Sequence, residues 1–140
     1  MRANRFISVV ACLIAVGCSD VDDASNDAKV HPGGAPRVVD AMNELAAGIP
    51  AERRFRYRLL SNCIVKTDRV LAEKTTERAT FPAASTRPAR FEYAPGLGFG
   101  LRVPMGPGGA EISIFDADRI DSIREMERLL VALASSCSAG

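Results

Sequence analysis

The sequence lacks tryptophan and contains a single histidine, His31, in a chain of 140 residues. Aromatic residues make up only 6% of the chain, which argues against a surface on which bases or sugars stack. The formal net charge is +1, whereas a nucleic-acid-binding domain usually has a clear excess of basic residues. We therefore expect no nucleic-acid partner.

Residues that usually perform catalysis or bind metals are also scarce. His31 lies in a polar segment predicted to be flexible, so it is a poor rigid base for a Ser–His–Asp or Cys–His site. Zinc sites use several cysteines or histidines, and too few are free. The sequence thus favours a non-enzymatic protein without a cofactor. The alternative is a small periplasmic hydrolase, or a lipid- or ligand-carrying domain. Two carboxylates that converge in the fold would favour this alternative.

The N-terminal segment has the pattern of an export signal. Two arginines within residues 1–5 precede an apolar run of twelve residues, Phe6–Gly17. A transmembrane helix needs about 20 apolar residues, so this run matches the apolar region of a signal peptide instead. We predict that residues 1–17 are a signal peptide. A buried N-terminal helix is the alternative, but such a helix normally has a polar face.

The sequence Ala15-Val16-Gly17-Cys18 resembles the lipobox of bacterial lipoproteins, in which a small residue precedes a lipidated cysteine. The resemblance is limited to the N-terminal segment, and it departs at Ala15, where the family prefers leucine. It implies that Cys18 is lipidated, becomes the first residue of the mature chain and anchors it to a membrane. Because Ser19 follows the cysteine, the resemblance favours the outer membrane over the inner membrane.

Residues 18–37 combine the anchoring cysteine with a stretch rich in Asp, Ser, Gly and Ala. Such a composition buries too little apolar surface to offset the entropy of ordering, so we predict a flexible tether. A single domain at residues 38–140 follows it in this interpretation.

Two groups of aspartates are candidate cation ligands. The group in the tether lacks the glycine and the closing glutamate of an EF-hand loop, so a solubilising role is preferred. The second group precedes the last predicted helix, where interaction with the helix dipole is a sufficient explanation and a metal triad is the alternative. The first group is Asp20, Asp22, Asp23 and Asp27, and the second is Asp116, Asp118 and Asp121.

With the two N-terminal cysteines assigned to the signal peptide and the anchor, Cys63 and Cys137 remain as a pair. Cys63 lies on the apolar side of an alternating stretch, residues 52–67, that predicts a half-buried strand. Cys137 lies on the apolar stripe of a predicted helix over residues 121–137. Because each cysteine lies on a face predicted to be buried, and an exported chain enters an oxidising compartment, we predict a Cys63–Cys137 disulfide. A reactive thiol is the alternative, but no Cys-x-x-Cys motif is present.

The domain shows helical and strand patterns in the order helix, four or five strands, helix. We predict an α+β fold with one antiparallel sheet of four to five strands and both helices packed on one face. The first helix opens near Pro36, and the last begins at a capping box formed by Ser122 and Glu125. The other predictions are a turn at 67–69, strands at 70–81, 89–94, 97–105 and 110–116, and a hairpin loop at 105–109. Residues 70–81 also suit a helix by composition.

Glycines occupy every second position between Gly96 and Gly100. A dinucleotide-binding fingerprint needs a helix after its glycines, and a P-loop needs Gly-Lys-Ser/Thr, so neither pattern fits. We predict a strand with one face nearly free of side chains, which another group approaches closely. A helix of the same domain, a second copy and an extended partner are the candidates.

Three arginines at alternate positions, Arg54, Arg56 and Arg58, would lie about 7 Å apart on the outward face of one strand. We call them the arginine comb. Guanidinium groups form paired hydrogen bonds with phosphates and carboxylates, so the comb is the candidate site for lipid A, peptidoglycan or a protein partner. The alternative is a solvated face paired with acidic residues of neighbouring strands. Those residues are Glu73, Glu77 and Glu92.

Overall fold

The computed structural model describes residues 34–71, 74–105 and 108–139. The predicted signal peptide, the predicted lipidation site Cys18 and the tether up to residue 33 lie outside the described residues. Within the described part, the chain forms two α-helices and six strands. They are α1 (Gly34–Ala47), β1 (Arg54–Leu60), β2 (Ile64–Leu71), β3 (Lys74–Pro82), β4 (Ala89–Glu92), β5 (Phe99–Pro104), β6 (Glu111–Ala117) and α2 (Ile120–Ser138).

The strands form two antiparallel sheets of three strands each, in the orders β1-β2-β3 and β4-β5-β6. The α+β class and the antiparallel pairing are confirmed, but the prediction of one sheet with four to five strands is wrong. The break falls between β3 and β4, where Pro82 and Pro88 bracket the connection. Proline has no amide hydrogen to donate to a ladder, so this segment does not continue the first sheet.

The predicted strand over residues 52–67 is a hairpin. Its first half alternates as expected, with Phe55 and Tyr57 buried. The chain then reverses through a single turn of 3-10 helix at Ser61–Cys63, so that Leu60 pairs with Ile64. Asn62 and Cys63 have φ angles of 57° and 55°. Asparagine tolerates this left-handed region better than most residues, and Asn62 is the sequence signal for the turn.

The predicted turn at 67–69 is also wrong, because these residues lie inside β2. Thr67 and Asp68 are buried there. The strand predicted over residues 70–81 is confirmed in large part, since β2 runs to Leu71 and β3 begins at Lys74. The strands predicted at 89–94, 97–105 and 110–116 correspond to β4, β5 and β6.

The two helices contact each other, and each also contacts a different sheet. Helix α1 begins at Gly34, four residues before the predicted domain boundary at residue 38, and packs on β1. Its Asn43 side chain completes the free edge of β1, donating to the Tyr57 carbonyl oxygen and accepting from the Tyr57 amide. Helix α2 packs on β5 and β6. Its N-cap is Arg119, without a side-chain cap, so the capping box at Ser122 is wrong.

A hydrogen bond in the core joins the two sheets. A register shift in β6 leaves Ile114 without a partner in β5, which frees its carbonyl group from the ladder. The hydroxyl of Tyr57, in β1, donates to this carbonyl oxygen at 2.6 Å. Both residues are fully buried, so the bond satisfies two polar groups that no water reaches.

The predicted disulfide is confirmed. Cys63 and Cys137 are bonded, with their Cα atoms 5.8 Å apart. Cys63 lies in the turn between β1 and β2 rather than on the buried face of a strand. The bond therefore joins this turn of the first sheet to the end of helix α2, which packs on the second sheet.

Candidate functional site

The arginine comb lies on β1 as predicted, but its three members have different surroundings. Arg54 is half-buried and donates from Nε and Nη2 to the carbonyl oxygen of Ile49, at 3.3 and 3.2 Å. Arg58 is exposed and forms an ion pair with Asp68, with 3.0 Å between Nη2 and Oδ2. Arg56 is exposed and has no ion-pair partner among the described residues.

The acidic partners proposed for the comb differ from those in the structure. The ion-pair partner of Arg58 is Asp68, which lies on the neighbouring strand β2. Glu92 lies on β4, in the other sheet, so it is not a cross-strand neighbour of the comb. Glu73 and the side chain of Glu77 lie outside the described residues.

A second basic surface lies away from the comb. It is a cleft of about 480 Å³ with three arginines, Arg53, Arg69 and Arg78, and we call it the arginine cleft. Arg53 comes from the 3-10 turn before β1, Arg69 from β2 and Arg78 from β3. Arg78 is the extra residue of a bulge, since Thr67 pairs with Ala79 and Asp68 with Glu77.

Residues of the second sheet and its β4–β5 connection complete the arginine cleft. Asp116, in β6, is only 4% exposed. Its Oδ1 atom accepts hydrogen bonds from the hydroxyls of Tyr93, at 2.8 Å, and Ser113, at 2.7 Å. The exposed Leu97 also lines the cleft. The cleft thus combines guanidinium groups from the first sheet region with a hydrogen-bonded carboxylate from the second.

Of the alternating glycines, only Gly100 lies in a strand, since β5 begins at Phe99. A Cβ atom on Gly100 would lie 2.8 Å from Oδ1 of Asp116 and would overlap the ring of Phe91, its partner in β4. Side chains of the adjacent strands therefore approach Gly100, whereas the group nearest to a Cβ atom on Gly98 is the backbone carbonyl oxygen of Ala117, at 2.9 Å. Phe91 in turn packs edge-to-face on Tyr93, with 4.8 Å between ring centroids, and the guanidinium of Arg102 lies 3.7 Å from the Phe91 centroid.

The pKa values of Tyr93 and Asp118, at the arginine cleft, are shifted in opposite directions. Burial, and then the hydrogen bond to Asp116, raise the pKa of the Tyr93 hydroxyl, so it stays a proton donor at neutral pH. The hydrogen bond from Arg53 lowers the pKa of the exposed Asp118. Arg53 holds this carboxylate through both terminal nitrogens, at 2.8 and 2.9 Å. The charge of Arg53 is therefore already paired.

The three aspartates around the start of α2 do not converge. Asp116 binds two hydroxyls, Asp118 pairs with Arg53, and Asp121 lies near Arg119 and Arg124. Across residues 34–71, 74–105 and 108–139, no group of three or more His, Cys, Asp or Glu side chains could hold a metal ion. The tether aspartates lie outside the described residues.

Sequence reasoning missed the arginine cleft. Arg69 fell in a predicted turn, and Arg78 in a segment whose register was open. Only the fold brings these arginines and Asp116 to one cleft, and no spacing in the sequence indicates it.

In the described part of the chain, neither helix is long and apolar enough to cross a bilayer. Comparisons with protein-family models, curated proteins and solved structures found no match to this chain.

Proposed function

We propose that the chain is an exported, lipid-anchored protein of the bacterial envelope whose domain binds a partner on the periplasmic side without catalysis. The observation that carries this proposal is the Cys63–Cys137 disulfide, which joins two cysteines 74 positions apart in the sequence. Structural disulfides form and persist in oxidising compartments such as the periplasm. The lipobox-like sequence ending at Cys18 supports the same compartment and supplies an anchor.

Charge distribution supports an anionic partner. Residues 54–82 carry seven Lys and Arg residues against three Asp and Glu, whereas residues 83–139 carry six against seven. The first sheet therefore carries the basic surplus of the domain. Arg56 and Arg58 expose part of it on β1. An anionic envelope component, or a protein partner with an acidic surface, is the class that this face suits.

The anchor and the compartment are tested by the intact mass of the protein from the membrane fraction, with and without reduction. We expect a chain that begins at Cys18, carries acyl mass and gains two hydrogens on reduction. A chain that begins at Met1 and has free thiols would overturn the signal peptide, the anchor and the compartment together.

The role of the comb is tested by replacing Arg54, Arg56 and Arg58 with Gln and measuring binding to envelope fractions. The matched control replaces the exposed arginines of the α2 region, which removes the same charge elsewhere. We expect weaker binding only for the comb variant. Equal binding by both variants and the unmodified protein would discard the comb as a binding surface. The control residues are Arg119, Arg124 and Arg128.

A ligand-carrying domain is the second candidate function. The observation that favours it is the arginine cleft, whose volume of about 480 Å³ falls in the range of small-molecule sites.

A further inference from the structure

We propose that the arginine cleft binds an oxyanion, a carboxylate or a phosphate, of a small organic molecule, held by the guanidinium groups of Arg69 and Arg78. The site lies apart from the comb, and its use requires no lipid anchor. The inference rests on the second candidate function, the ligand-carrying domain, and names its ligand class, while the anchored binding protein and the arginine cleft can each fail without the other.

The first argument is the charge left over in the cleft. Arg53 is paired with Asp118, and Asp116 already accepts two hydroxyl hydrogen bonds. Among the described residues, no carboxylate lies within 4.0 Å of the guanidinium nitrogens of Arg69 or Arg78. Two guanidinium groups thus line the cleft without an ion-pair partner from the described part of the domain.

The second argument is the unmet hydrogen-bonding capacity of these arginines. Within the described part of the chain, the buried Nε atoms of Arg69 and Arg78 have no hydrogen-bond partner. The Nη2 group of Arg69 donates to the carbonyl oxygen of Glu52, at 3.4 Å. A guanidinium is always charged and has five donors, so covering it without acceptors costs free energy. A bound oxyanion supplies charged acceptors to both side chains.

The third argument concerns the size and orientation of the ligand. The volume of the cleft, about 480 Å³, is large enough for a small organic molecule, and Leu97, 67% exposed, offers apolar surface beside it. The carboxylate of Asp116 repels an anion, so the oxyanion is expected on the side of the arginines. The hydroxyl of Tyr93 is committed to Asp116 as a donor, so it does not donate to the oxyanion.

The test requires no substitution in its first arm. The full chain, purified in detergent from whichever fraction contains it, is titrated separately with inorganic phosphate and with acetate at an ionic strength fixed with NaCl. The arginine Nε–H signals are followed by nuclear magnetic resonance. We expect saturable shifts of Arg69 and Arg78 but not of Arg37, an exposed arginine of α1. Saturation by phosphate alone or by acetate alone assigns the oxyanion, and either supports the proposal.

The second arm measures affinity in variants. In the double variant R69Q/R78Q we expect at least about a tenfold rise in Kd for the saturating anion, because charge-assisted hydrogen bonds are lost. The control R37Q should match the unmodified protein. Unfolding temperatures establish that the variants are folded, and if the double variant is not, the first arm decides alone. Equal shifts of all arginines, or no saturation by either anion, would overturn the proposal.

Discussion

The two sheets of this domain are equal in strand number but differ in how their strands are built. The strands of the first sheet, β1-β2-β3, carry seven basic residues against two in the strands of the second, and β1 alternates large apolar residues with arginines. The second, β4-β5-β6, has an aromatic ring lying over Gly100 in its central strand and a buried carboxylate at Asp116. The first sheet therefore has a surplus of basic side chains, whereas the second buries the acidic side chain of Asp116.

The difference shows where binding capacity arises in a domain with few catalytic groups. On the first sheet, an arginine that already pairs with a neighbouring carboxylate, such as Arg58 with Asp68, has little charge left with which to bind a ligand. Unused capacity lies at the exposed Arg56 and, among the described residues, at Arg69 and Arg78, which the cleft places beside groups of the second sheet. Neither sheet alone would form this cleft.

The largest expected effect comes from cutting the covalent link between the two regions. Replacing Cys63 and Cys137 with Ala should lower the free energy of unfolding by up to about 4.5 kcal/mol, because the bond closes a long loop of the unfolded chain. Denaturant unfolding of the unmodified protein and the double variant measures the difference. Reductant should destabilise the unmodified protein and leave the variant unchanged. Equal midpoints for the unmodified protein with and without reductant would contradict this.

Much of the architecture follows from local pattern, and the failures have a common origin. The apolar stripes of both helices and the alternation at Phe55 and Tyr57 predict those elements, because one side of each must be buried. The sequence predicts the disulfide from two cysteines on such faces, and the bond is present although Cys63 lies in the turn between β1 and β2. The division into two sheets cannot be predicted from local pattern, because it depends on which strands pair with each other on either side of the connection between Pro82 and Pro88.

The candidate site was less predictable than the fold. The comb was found because its arginines are regularly spaced along one strand. Arg69 and Arg78 come from different strands, and a bulge sets the position of Arg78. A bulge changes the side on which a residue lies without leaving a clear mark in the sequence, so the arginine cleft was not visible before the fold.

The next largest effect is expected at Gly100, in strand β5 of the second sheet. In Gly100→Ala, the new methyl group would collide with the Phe91 ring and Asp116, so the ring must leave its position. We expect a loss of about 1–3 kcal/mol in the free energy of unfolding. The matched control is Gly48→Ala after helix α1, where the new Cβ meets only ordinary contact, 3.4 Å from the Leu45 carbonyl oxygen. Comparable losses in both variants would show that the ring does not depend on Gly100.

The bond between the sheets is tested by Tyr57→Phe, which leaves the buried Ile114 carbonyl group without its donor. We expect a loss of about 1–3 kcal/mol in the free energy of unfolding. The matched control, Tyr93→Phe, removes a hydroxyl whose acceptor, Asp116, keeps Ser113 as a second donor, so its cost should be smaller. A larger loss for Tyr93→Phe would contradict the assignment of the inter-sheet bond as the stronger link.

The same tyrosine predicts a pH dependence at high pH. Burial, and then the charge of Asp116, raise the pKa of Tyr57 well above its usual value of 10.0. Because the folded pKa is the higher one, stability is fully present below the unfolded pKa near 10 and is lost as pH rises toward the folded pKa. Unfolding curves measured from neutral pH upward should show this loss in the unmodified protein. Tyr57→Phe should show a smaller loss, and identical pH profiles would contradict the cause.

The smallest expected effect on stability comes from Asp118→Asn, at the boundary between the regions. The pair with Arg53 lies at the surface, so its contribution is small and screened by salt. The lowered pKa of Asp118 means that this contribution is present above its unfolded pKa and is lost as pH falls through the folded pKa.

The effect of Asp118→Asn on binding should be clearer than its effect on stability. Freed from its carboxylate, Arg53 becomes a third unpaired guanidinium in the arginine cleft. We expect phosphate or acetate, whichever saturates the cleft, to bind about threefold more tightly, with an unfolding temperature close to that of the unmodified protein. Isothermal titration of both proteins at low and high salt measures this. A variant that binds less tightly would mean that the pair with Asp118 holds Arg53 in place for the ligand, and the cleft would then owe its affinity to geometry rather than to surplus charge.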